Sequence, residues 1–336
     1  MARSVGLAAL ALAAGRPGPA RGQVQLDPPG AGTSERPLPL GRVEVTRERV
    51  PCSDGALAGA VCSEIEVRCP DIPPRKAELA VTRSREARGT IFAHRGSDGR
   101  DFFHQPRTVQ RYADSGFDVV QVRWEQDWQK TPRSGILRAA CRPATVMQHV
   151  YETVHRSDKD RGYCALGHSA GGGAIAYALA HYGRASILDY AVIAAGPPFA
   201  RIDYGCAPHT YDGPPRELCG ALPQAPMELP PYLIDPWDNT WTCGEPSPHP
   251  DDLARWRADS IVSPGADFSY PRTFVDLYDC ATDPNGTAAG AFFFASQLRS
   301  EHEVTCFTDC RVEDLGDDGW REVGDRLLER CEPRHR

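Results

Sequence analysis

Gly167-His168-Ser169-Ala170-Gly171 restricts what this chain can fold into more than any other segment. It follows a short apolar run, Tyr163 to Leu166, and precedes a small-residue helical pattern from Gly171 to Tyr182. An apolar run of that length reads as a buried strand. A strand that becomes a helix within five residues needs small side chains two positions either side of the serine, and glycine supplies them at 167 and 171. Such a turn pushes the serine Oγ out at the carboxyl edge of a parallel sheet. It also leaves the Ala170 N–H at the head of the following helix without an intrahelical partner. The plainer reading is a glycine-rich turn with an idle serine. With 31 glycines in 336 residues the pattern alone does not decide; the strand before it and the helix after it do.

A chain of 336 residues, 41% hydrophobic, has room for one large α/β domain with insertions or for two small domains. The net charge of −7 gives no electrostatic case for a nucleic acid or an anionic membrane as partner. No segment has the roughly 20 consecutive apolar residues of a membrane span. Residues 1–22 are organised like an export signal. Arg3 is a minimal charged start, Val5 to Ala14 is an apolar stretch, and Ala11-Leu12-Ala13 is a small-x-small cleavage site. Read instead as the start of a buried helix, the segment would be ended by the Gly/Pro-rich stretch that follows.

Twelve cysteines agree with a secreted or periplasmic protein. None forms a C-x-x-C pair. The nearest approach, Cys306-x-x-x-Cys310, has no matching His/Cys pair, so disulfides are expected rather than zinc. The clustering suggests local groups: Cys52, Cys62 and Cys69; Cys206, Cys219 and Cys243; and Cys280, Cys306, Cys310 and Cys331. Cys164, inside the apolar run before the serine, is the expected exception, a thiol used as a small core residue.

Residues 23–41 are Pro/Gly-rich and read as a flexible leader, with one domain over 42–336. Alternating stretches at 64–69 and 77–81 predict strands, and the continuous apolar run 90–93 and a second run at 117–122 predict buried parallel ones. Helices are expected over 105–115 and from Pro143 onward, where Val146, Val150 and Val154 repeat at i+4. A strand at 190–194 follows the serine's helix. Residues 197–270 then break the rhythm with Pro, Trp, Tyr and three cysteines, and read as a loop-rich insertion. The alternation resumes with a strand at 273–278, a helix at 287–298, a strand at 303–307 and a helix at 319–331. This order predicts an α/β fold with a doubly wound, mostly parallel sheet.

Three features in this order carry a resemblance: the loop His94 to Gly99 after an early strand, the Gly167 to Gly172 turn, and a late strand followed by an acidic loop. On these the chain resembles the α/β-hydrolase superfamily over roughly residues 60 to 331. The resemblance implies that the 197–270 insertion is a disulfide-tied cap and that Ser169 is a nucleophile. It implies an oxyanion hole from the Ala170 N–H and an N–H of the His94–Ser97 loop, Arg95 or Gly96. The family order of serine, acid, histidine gives Asp283 as the acid, with Asp279 as the alternative. Either is also an ordinary turn residue, because Asp283-Pro284-Asn285-Gly286 is a turn sequence.

The family histidine lies between the last strand and the last helix, and here Thr308 to Asp318 contains none. His302, just before the last strand, is the one non-terminal histidine in the right chain order and is named as the base. His209 and His249 of the insertion come next, and His335 lies in a terminal Pro/Arg tail. Two functional readings follow. One is a serine hydrolase that cleaves an ester or amide through an acyl-enzyme at Ser169, acting on a small-molecule or polymer-borne ester. The other is a hydrolase-like fold, impaired by the missing loop histidine, that serves as a binding or scaffold protein. No cofactor is expected, since there is no G-x-G-x-x-G opening a βαβ unit, no P-loop and no zinc spacing.

Overall fold

The computed structural model describes residues 20–21, 36–131, 134–207, 243, 249–280, 287–308, 310 and 314–334. The expected export signal, most of the leader, the larger part of the insertion, Asp283, His209 and His335 lie outside them. The strands are β1 (Ala20–Arg21), β2 (Arg42–Val50), β3 (Val61–Arg68), β4 (Arg75–Thr82), β5 (Gly89–His94), β6 (Asp118–Trp124), β7 (Gly162–His168), β8 (Tyr190–Ala194), β9 (Phe274–Cys280) and β10 (His302–Phe307). They form one sheet in the order β1-β10-β9-β8-β7-β5-β6-β4-β3-β2. The stretch from β10 to β6 is parallel throughout, and β2, β3 and β4 extend it as an antiparallel edge. The doubly wound expectation therefore holds.

The reason is visible in burial. Every residue of β5, β7, β8 and β9 is buried, as strands covered on both faces must be. On one face lie α1 (Pro106–Asp114) and α8 (Gly316–Arg330), whose Val109, Tyr112, Trp320, Val323 and Leu327 meet Leu166, Val192 and Tyr278 of the sheet. On the other lie α3 (Cys141–Thr153), α4 (Ala170–Tyr182) and α7 (Thr287–Ala295). The outermost long strand, β2, is almost wholly exposed and carries Arg42, Glu44, Arg47, Glu48 and Arg49. Charges along an edge oppose pairing with another chain.

Two local expectations shift. The helix expected from Pro143 begins at Cys141, preceded by the short α2 (Ile136–Ala139), so the proline is the third helical residue. Its missing N–H is harmless there too, because first-turn N–H groups have no intrahelical acceptor. Pairing of the cysteines is less local than their spacing suggests. Cys52–Cys62, Cys206–Cys243 and Cys280–Cys310 stay within their groups, but Cys69 joins Cys141 across 72 residues. Cys164 is not a free thiol; it joins Cys331 and ties β7 to the end of α8. Strand and helix terminus pack side by side, with the Gly162 Cβ position 2.6 Å from the Cys331 carbonyl oxygen.

One buried carboxyl shapes the pH response. Asp276 of β9 accepts hydrogen bonds from the hydroxyls of Tyr190 and, at 3.3 Å, Tyr278, and burial pushes its pKa up to about 6. A folded-state pKa above the unfolded value means that the fold holds this proton more tightly. The stabilisation is complete below about pH 4 and is lost as pH rises through about 6, at a cost of roughly 3 kcal/mol. Asp276→Asn, whose amide oxygen can still accept from Tyr190, is expected to melt higher than the wild type at pH 8 and close to it at pH 4. Thermal melts at the two pH values check this; a variant that is less stable at pH 8 contradicts it.

Candidate active site

The chain leaves β5 to form β6 on one side and returns to place β7 on the other. In an open α/β sheet, ligands bind at such a reversal, outside the carboxyl ends of the strands. The two segments singled out in the sequence flank this crevice. One is the β5–α1 loop beginning at His94–Gly99; the other is the turn from β7 into α4.

Ser169 has φ 51° and ψ −121°, a left-handed conformation uncommon for a residue with a side chain. Neighbouring backbone holds it there: its N–H donates to the Ala194 carbonyl at 2.8 Å, and its carbonyl accepts from the Gly173 N–H at 3.0 Å. The glycines are small because backbone surrounds them. A Cβ on Gly167 would sit 2.4 Å from the Gly171 carbonyl oxygen, and one on Gly171 would sit 2.2 Å from that of His94. Ala170 is the first residue of α4, so its N–H lies at the positive end of a helix with no intrahelical acceptor.

Facing the turn, Gly96 approaches so closely that a Cβ there would be 2.8 Å from the Ser169 Cβ and 2.9 Å from His168 Nδ1. Its loop is fixed from below by His94. The Trp124 indole N–H donates to His94 Nε2 at 3.0 Å, and His94 Nδ1 donates to the Arg95 carbonyl at 2.8 Å. Burial lowers the His94 pKa to about 4, which keeps this ring neutral and in that tautomer. Gln129 Nε2 adds a bond to the Ser97 carbonyl at 3.1 Å, and the Arg95 side chain pairs with Asp101. The expected oxyanion-side residues Arg95, Gly96 and Ala170 thus stand around Ser169.

The expected acid and base fare differently. Asp279 is buried at the carboxyl end of β9, one residue past the row that joins Tyr278 to Ala194 and Ala194 to His168, and so level with Ser169. His302 is at the other end of the sheet. It opens β10 and pairs with Val275, three residues before Thr305, which faces Tyr278. That offset is about 10 Å along the strand, with three strand spacings, about 14 Å, across to β7. His302 Nδ1 donates to the Ser300 carbonyl at 2.8 Å. The expectation that His302 is the base is therefore corrected: chain order is satisfied, but the residue enters its strand where the loop histidine should leave one. Of the helices among the described residues of the insertion, the short α5 (Ile202–Cys206) and α6 (Pro250–Asp259), His249 caps the second, accepting from the Asp251 N–H at 3.2 Å.

A histidine with no motif around it stands at this edge instead. The His104 ring lies 4.3 Å, centroid to centroid, from that of His168, and 5.3 Å from that of Trp320. Trp320 also contacts His168 at 5.5 Å and donates its indole N–H to Asp314 Oδ1 at 2.9 Å. Burial first, and then Arg95, lower the His104 pKa to about 4, while Asp314 acts to raise it. The one sequence signal for His104 is its place in the β5–α1 loop, two residues before the helix-opening Pro106. Among the described residues, the grouping with metal-like proximity is Cys52, Cys62 and Glu78, and its two sulfurs are joined as a disulfide.

The chain has the α/β-hydrolase fold. It superposes on an acetyl xylan esterase from Paenibacillus sp. R4 with a TM-score of 0.56 and 15% identity, covering 87% of this chain and 89% of that one. It superposes on EstE1, a thermostable carboxylesterase cloned from a metagenomic library, with a TM-score of 0.52 and 15% identity, covering 84% and 92%. No family model matches the sequence, and no curated protein does.

Proposed function

We propose that this protein is a serine hydrolase that cleaves a carboxylic ester through an acyl-enzyme on Ser169. The observation that carries the reading is the left-handed Ser169 at the head of α4, pressed against Gly96 and next to the N–H of Ala170. Ser169 Oγ attacks the carbonyl carbon, its proton passes to an imidazole, and the carbonyl oxygen becomes an oxyanion held by backbone N–H donors. Collapse expels the alcohol with that proton, and water then hydrolyses the acyl-enzyme by the same steps. Asp279 and Asp283 are the carboxylates that the chain order offers. The esterase neighbours support an ester as the first substrate to try, an argument by fold analogy. The five disulfides among the described residues support a role outside the cytosol. Residues 197–270 take the part of the cap.

A fluorophosphonate probe is expected to label Ser169, with labelling and turnover of short aryl esters both abolished in Ser169→Ala. Labelling needs an activated Oγ, so it reports a working base more directly than a substrate screen. If the wild type is neither labelled nor turns over any ester, the chain is a hydrolase-like binding protein and the serine only an elbow of the fold.

A further inference from the structure

The missing loop histidine is a problem of position, and the fold has another way to bring an imidazole to the same place. The loop after β10 and the loop after β5 both reach the carboxyl edge on the α1/α8 face, and Trp320 packs on residues from each. Asp314 lies in the first, where the family histidine belongs, with Trp320 in the first turns of the α8 helix that follows; His104 comes from the second. Resting on the serine-hydrolase reading above, we propose that His104 is the general base for Ser169, with Asp314 as the carboxylate that favours its cation.

Three observations support the choice among the histidines. His104 packs against His168 with the ring planes tilted by 50°, and the His168 ring flanks the same Gly96 as the root of the Ser169 side chain. Among the described residues no hydrogen bond occupies either His104 ring nitrogen, whereas His94 has both engaged. The charged groups that act on His104 are Arg95 and Asp314, of opposite sign. Asp279 has the parity of Leu277 along β9, so it belongs to the α3/α4 face, away from this ring cluster. Asp314, held by the Trp320 indole and by the Gly316 N–H at 3.1 Å, is on the correct side.

In the acylation step, a lone pair of a His104 ring nitrogen takes the Oγ proton as Oγ bonds to the carbonyl carbon and the C=O electron pair moves to oxygen. The C–O bond to the alcohol then breaks, and the imidazolium returns the proton to the departing alkoxide. The low pKa of His104 means that the ring is neutral, and ready to accept, over the whole range above about pH 4.

The test measures probe labelling and aryl-ester turnover in His104→Ala, His104→Gln, His168→Asn and His302→Ala, with thermal melts alongside. Both His104 variants are expected to lose roughly a thousand-fold or more in rate, with His104→Gln melting near the wild type and His104→Ala partly rescued by added imidazole. His302→Ala is expected to keep wild-type rates. In the wild type kcat/KM should fall on acidification only near pH 4, and Asp314→Asn should move that limb lower; a merely structural Asp314 would leave it in place. A wild type that labels while His104→Gln labels equally fast overturns the assignment of His104 and leaves the hydrolase reading intact. Loss in His168→Asn alone transfers the role to His168. A wild type that never labels overturns both.

Discussion

A methyl group on Gly171 should break the turn that carries Ser169. The Cβ of Gly171→Ala would lie 2.2 Å from the His94 carbonyl oxygen and 2.6 Å from that of Arg95. Both are backbone atoms, so no side chain can swing aside; either the end of β5 or the start of α4 must move. Overpacking of this kind costs about 3 kcal/mol or more. Because the displaced elements hold both sides of the crevice, the labelling rate should drop with stability, a shift of about 1 Å being worth roughly a hundred-fold. Gly324→Ala is the control. It lies inside α8, where the nearest atom is the Arg111 guanidinium tip at 3.3 Å, the far end of a flexible side chain. That variant should be neutral or gain up to about 1 kcal/mol from helix propensity. Denaturant unfolding of the pair checks the account, and it fails if both midpoints match the wild type.

Removing the Cys164–Cys331 bridge should be the most destabilising change among the disulfides. It closes 167 residues of sequence, and a loop of that length is worth up to about 5 kcal/mol in the unfolded chain, reduced by the shorter Cys206–Cys243 and Cys280–Cys310 loops nested inside it. Typical domain stabilities are about 5–15 kcal/mol, so this is a large share. The Cys164→Ala/Cys331→Ala protein should melt roughly 10 °C lower under non-reducing conditions. Cys52→Ala/Cys62→Ala, which opens a loop of only 10 residues at the antiparallel edge, should lose less. Equal losses in the two double variants would mean that strain or packing, rather than loop length, sets the contribution.

Much of the architecture is legible one segment at a time. The runs at 90–93, 117–122 and 190–194 became β5, β6 and β8 because strands buried on both faces are apolar at most positions, Thr90, Asp118 and Gln121 being the buried polar exceptions. The five residues around Ser169 state their own turn, since only glycine fits where backbone passes within 3 Å. Such features have short-range causes, and the residues that cause them are adjacent in the chain.

What the tertiary structure decided is which distant groups share a place. Cys164 looks like a core thiol until α8 brings Cys331 beside it. His302 satisfies the chain order of a base, yet the register of β10 on β9 sets it at the far end of the sheet. His104 has no motif, and it meets His168 and Trp320 because the β5–α1 loop, the end of β7 and the start of α8, distant in sequence, come together on the same face of the same edge. Periodicity and turn chemistry record each residue's immediate backbone neighbours. The meeting of an imidazole with a serine depends on strand order, register and helix packing, which belong to the whole sheet and to no single stretch of it.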